Sequence, residues 1–186
     1  MFLVGLCVAG ETLVAVPRRL AVEVRRRGLS LEDAVLEALS RYLGLDPETV
    51  AESRLELAER YLEEGRRLAD RDPVQASEKL YKAAEECVKA LAEHLKLEEV
   101  LARVGERGRW TVADLDKAAR AVAERLGGWV LDAWDHAWTL HVWGFHEAKL
   151  DTDAVKARIP YIEKLVRETT KTIRKHENNT PTKHKA

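Results

Sequence analysis

From residue 46 to about residue 175 the chain sets apolar residues at helical spacing almost without a break. After Pro47 the apolar stripe is Ala51, Leu55, Ala58, Leu62 and Ala69, with Val50, Leu57, Tyr61 and Leu68 beside it. A stripe that wide predicts a helix buried against two neighbours. After Pro73 the same pattern returns as Leu80, Ala84, Cys87, Leu91 and Leu95, flanked by Tyr81 and Val88. Asp46-Pro47 and Asp72-Pro73 mark both starts, because the carboxylate caps free amide groups and proline suits the first helical position. Leu97 to Val104 predicts a short helix ending in a Gly105–Arg109 loop. Thr111 caps a helix carrying Val112, Leu115, Ala119, Val122 and Leu126, stopped at Gly127-Gly128. An aromatic helix runs on to about Leu150, with Leu131, Trp134, Trp138, His141 and Phe145 along one face. The last helix starts near Asp153, shows Val155, Ile159, Ile162, Val166, Thr169 and Ile173, and is expected to bend at Pro160. Long helices with short connections predict an all-α fold, an antiparallel up-and-down bundle over residues 46–175. The polar residues 176–186 are expected to be disordered.

Residues 1–45 follow a different pattern. Leu3 to Val16 is β-prone and runs into Pro17, Arg18 to Arg27 reads as a short helix closed by Gly28, and Ser30 caps a second helix that ends at Gly44. Strand, helix, turn, helix resembles the ribbon-helix-helix module. Such a module reads DNA through polar side chains on one strand face, whereas here one face offers Thr12, Val14 and Val16 and the other Glu11, Leu13 and Ala15. Neither suits base edges in a major groove, so specific DNA binding is not expected and an assembly role is.

Charge and composition narrow the function classes. Lys and Arg total 31 against 32 Asp and Glu in 186 residues, which gives no basic footprint of a general nucleic-acid binder. Cys7 and Cys87 stand far apart with no Cys-x-x-Cys, pointing to buried thiols in a reducing compartment. No stretch approaches a membrane span, and residues 2–9 lack the basic flank of a signal peptide, so the expected location is cytoplasmic. One Gln, two Asn and one Met beside 34% charged residues fit a protein from a hot environment.

The candidate chemistry lies in Trp134–Glu147, which holds three of the five tryptophans and His136, His141 and His146. A spacing of five on an α-helix turns each histidine about 140° from the last, so the three are not expected to share a metal. Neither Gly127-Gly128 nor Gly105-Glu-Arg-Gly108 makes a phosphate loop, and no cofactor is expected. Trp and His faces do suit a base or nucleotide, and Trp134, Asp135, His136, Trp138, His141 and His146 are the candidate ligand-binding set, with Tyr81 and Lys82 from the preceding run. Glu78–Lys82 and Glu85–Lys89 are spaced for surface ion pairs.

The runs Asp72-Pro-Val-Gln-Ala-Ser-Glu-Lys-Leu-Tyr-Lys-Ala-Ala-Glu-Glu-Cys87 and Trp138-Thr-Leu-His-Val-Trp-Gly-Phe-His-Glu147 resemble the archaeal PaREP family, within the wider group of HEPN helical domains. The resemblance implies a usually dimeric antiparallel bundle, in a group that includes RNA-cleaving toxins, nucleotidyltransferase partners and nucleotide-binding modules. Its catalytic members carry Arg-x(4–6)-His. No arginine stands five to seven residues before His141 or His146, where that pattern places it, so no catalytic residue is assigned. The expected function is binding, to a nucleotide, RNA or a partner protein, by a homodimer. The alternatives are a metal-independent ribonuclease with a non-standard site at His141 or His146, and a DNA-binding regulator acting through residues 1–45.

Overall fold

The computed structural model describes residues 15–27 and 29–177, with side chains as far as Arg174. Among these residues every regular element is helical. The expected strand Leu3–Val16 lies outside the described residues except for Ala15 and Val16, which are not in a strand. The expected tail also lies outside them, apart from residues that continue the last helix to Glu177.

The chain divides into two units, Met1–Gly44 and Leu45–Ala186. In the first, α1 (Arg18–Arg26) packs on α2 (Leu31–Leu43). The Ser30 hydroxyl accepts from the Asp33 amide at 3.0 Å, and Gly44 ends α2 at φ 61, the left-handed region where an L side chain is strained. Arg18, Arg19 and Arg25–Arg27 are all exposed, and Glu23 pairs with Arg27 at 3.0 Å and Arg26 at 3.8 Å.

In the second unit α3 (Pro47–Leu68) and α4 (Pro73–His94) form a helical hairpin, followed by α5 (Glu98–Arg107) and α6 (Val112–Leu126). Then come α7 (Trp129–Thr139), a π-helical turn (Leu140–His146), α8 (Thr152–Lys156) and α9 (Ile159–Glu177). Asp46 accepts from the Glu48 and Thr49 amides, and Asp72 from the Gln75 amide, as the Asp-Pro pairs predict. At the start of α6 Thr111 and Asp114 cap each other reciprocally. α5 runs through Gly105 to Arg107, so the expected loop is shorter; Gly108, at φ 76, is the residue that can end it. The break before α9 falls at Ala157-Arg158, ahead of Pro160, because proline is tolerated in a first turn where no amide partner is lost.

α4 is the centre. It is buried from Ala83 to Ala92 apart from Glu85, and packs against α3, α6, α7, α9 and the π-turn. Gly65 lets α3 approach closely, since a Cβ there would stand 2.7 Å from Leu80 Cγ and 3.2 Å from its backbone nitrogen. The Glu85–Lys89 pair is not a surface pair. Lys89 is fully buried, with Nζ 2.7 Å from Glu85 and 2.8 Å from Glu86, and Glu86 also takes buried Arg54 at 2.9 Å. Charges removed from water in this way need partners, which the apolar stripe could not reveal. Cys87 is buried with its thiol pushed up, first by burial. No helix among the described residues is long and apolar enough to cross a membrane.

Candidate ligand surface on the π-turn

The aromatic helix is not a continuous α-helix. From Leu140 to His146 the backbone widens to a π-helix, and the Glu147 amide donates to the Val142 carbonyl five residues back at 2.9 Å. The bulge is packed tightly on α4. Gly144 is buried against Ser77 of α4, where a Cβ would stand 2.2 Å from the serine Oγ and 2.6 Å from its Cβ. The Ser77 hydroxyl is itself held, donating to the Pro73 carbonyl at 2.7 Å.

The wider coil changes which side chains meet. Residues five apart, which diverge on an α-helix, come back toward one side on a π-helix. The Nε2 atoms of His141 and His146 accordingly stand 3.2 Å apart, with the rings edge-on at a centroid distance of 4.5 Å. His141 stacks on Tyr81 of α4 at 4.1 Å and 25°, and Trp138 leans on it at 5.5 Å. Trp134 reaches Tyr81 at 6.0 Å, and Phe145 reaches His146 at 5.1 Å. Trp134, Tyr81, Trp138, His141 and His146 thus converge, with Phe145 added. The expected apolar seam shifts, however: Val130, Ala133, Trp134, Ala137 and Leu140 are buried, while Trp138 is 39% exposed at the rim.

The other candidates stand elsewhere. His136 stacks on Tyr161 of α9 at 3.6 Å, and Asp135 is exposed on the outer side of α7. Lys82 pairs with Glu78 at 3.2 Å and lies 5.8 Å over the Tyr61 ring, which Arg60 and Lys79 also approach at 5.3 and 5.0 Å. Ser77 and Gly144 were not identifiable as site-forming residues. Their one sequence signal is a small residue inside each long apolar helix.

Burial is the main reason the His141 imidazole is pushed down to about 4 from its ordinary 6.5; His146 adds to this and Glu78 opposes it. At neutral pH the ring is uncharged. Burial, then Arg158, lowers His136, against Asp132 and Asp135. Burial likewise raises the Tyr81 hydroxyl, so it stays protonated.

Fold and site define a small helical protein with an open aromatic–imidazole surface on a π-turn. The chain belongs to the archaeal PaREP1/PaREP8 family, whose model matches residues 53–166. A crystal structure of a protein from Sulfolobus solfataricus is similar, with a TM-score of 0.58 at 38% identity over 62% of this chain and 95% of that one. A solution structure of the same structural-genomics target gives a TM-score of 0.57 at 38% identity over 66% and 95% of the two chains. No curated protein matches.

Proposed function

We propose that this protein is a HEPN-type helical binding module that takes a nucleobase-bearing ligand, a nucleotide or single-stranded RNA, by stacking on its π-turn surface without cleaving it. The observation that carries this reading is the half-open aromatic cluster: Trp138 is 39% exposed beside His141, and Tyr81 fixes His141 from below. A base stacked on such a face gains about 1–3 kcal/mol, and a platform held by packed helices loses little order on binding.

Cleavage needs a fixed cation where phosphate charge develops. The groups acting on His141 are His146 and Glu78, an imidazole and an acid, and His141 is itself neutral at neutral pH. The paired imidazoles are the one feature that favours the ribonuclease alternative, since one ring can accept a proton while the other donates. The exposed arginines of α1 favour a DNA-binding role for the first unit, although Glu23 engages two of them.

The test is a titration of the full chain with adenosine monophosphate and a short single-stranded RNA, followed by tryptophan fluorescence and by gel analysis of the RNA. Binding by the parent, loss of at least tenfold in Trp138→Ala and intact RNA support the reading. RNA cut by the parent and spared by His141→Ala would establish the ribonuclease instead. Equal affinity in Trp138→Ala would remove the stacking surface from consideration.

A further inference from the structure

We infer that His141 and His146 form a two-imidazole site for a divalent late transition metal, of the Zn²⁺ and Ni²⁺ class, on the solvent side of the π-turn. The inference goes beyond the stacking function and does not depend on it.

Distance is the first argument. Two imidazole nitrogens bound to one Zn²⁺ at about 2.0–2.1 Å stand roughly 3.3 Å apart at the tetrahedral angle and about 2.9 Å apart at a right angle. The Nε2 atoms of His141 and His146 are 3.2 Å apart, between these values, so both rings reach one ion with little movement. Without a metal, the same two atoms share one proton, one ring donating and the other accepting. A metal ion takes the place of that proton and uses both lone pairs.

Rigidity is the second. His141 is held between Tyr81 and Trp138, and the turn carrying both histidines is seated on α4 through Gly144 and Ser77. The pair is therefore formed before any ion arrives, which removes most of the ordering penalty that a mobile pair of histidines pays.

Ligand chemistry selects the ion. Two neutral nitrogens suit Zn²⁺, Ni²⁺ or Cu²⁺ and give little to Mg²⁺ or Ca²⁺, which want oxygen. His146 is exposed, so the remaining coordination positions face solvent and stay open to water or an oxygen-bearing ligand. The Nδ1 atom of His141 is buried with no hydrogen-bond partner in the protein. When Nε2 gives its lone pair to a metal, the ring proton sits on Nδ1 as a buried donor with no acceptor, which lowers the affinity. A missing outer partner of this kind weakens a site by about 10–100-fold, so binding is of modest strength.

The experiment is calorimetric titration of the full chain with ZnCl₂ and NiCl₂ at neutral pH, beside His146→Gln and His136→Gln, with circular dichroism to verify folding. His146 is exposed, so its replacement leaves the core intact; His136 belongs to the neighbouring helix but stacks on Tyr161. His176 and His184 are present in every variant, so binding there appears equally in all. The expected result is a site in the parent and in His136→Gln that His146→Gln loses or weakens at least tenfold, with no response to MgCl₂. Zinc should also raise the melting temperature of the parent and not that of His146→Gln. Equal titrations for parent and His146→Gln, or no site in the parent, would overturn the inference.

Discussion

Gly144 of the π-turn lies so close to Ser77 of α4 that a Cβ on the glycine would meet the serine side chain. Gly144→Ala would drive a methyl to 2.2 Å from the Ser77 Oγ. Buried overpacking of this size destabilises by about 1–3 kcal/mol. We expect chemical denaturation to show that loss, and Ser77→Gly in the same chain to restore part of it, because both clashing atoms belong to the serine side chain. An additive double mutant would show that the two residues do not meet.

Two tryptophans, six and two residues ahead of the π-turn, differ sharply in their surroundings. Trp134 is 3% exposed and Trp138 is 39% exposed. Emptying a buried aromatic site destabilises by about 3–5 kcal/mol, so Trp134→Ala is expected in that range. Trp138→Ala is expected to cost about 1–2 kcal/mol, since much of its ring already meets water. Thermal unfolding of the two variants side by side checks the order; equal losses would place Trp138 in the core.

The lowered His141 makes stability depend on pH in a defined window. Its folded value is about 4 and its unfolded value 6.5, so between them the unfolded chain binds more protons. Stability from this group is full above pH 6.5 and is lost as pH falls toward 4. His136, also lowered, acts in the same direction. The melting temperature should fall across that window, and His141→Phe, which keeps a ring against Tyr81, should flatten the fall. An unchanged profile in His141→Phe would mean that other groups carry it.

We expect a homodimer. Trp138, Trp143 and Tyr161 are 39%, 49% and 41% exposed, more aromatic surface than a helical monomer usually leaves in water. Sedimentation velocity at micromolar concentration decides it. A single species of monomer mass, with no concentration dependence, is the result that excludes the dimer.

The sequence by itself determined the helices of the second unit and most of their ends. Asp46-Pro47, Asp72-Pro73, Thr111 and Gly127 act on amide groups within a few residues of themselves, and the apolar stripes of α3, α4 and α6 need only a period to be recognised. The cluster of aromatic rings was visible for the same reason. What only the tertiary structure decided was where those rings point. An α-helical period sends His141 and His146 apart and buries Trp138; packing Gly144 on Ser77 accompanies a widened turn that brings the histidines together and leaves Trp138 at the rim. Lys89 shows the same limit, since its spacing from Glu85 fits a surface pair while its burial depends on neighbours far away in the chain. Local signals fix the elements because capping and periodicity are short-range. The site depends on contacts between α4 and the π-turn, some 60 residues apart in sequence, which no local pattern encodes.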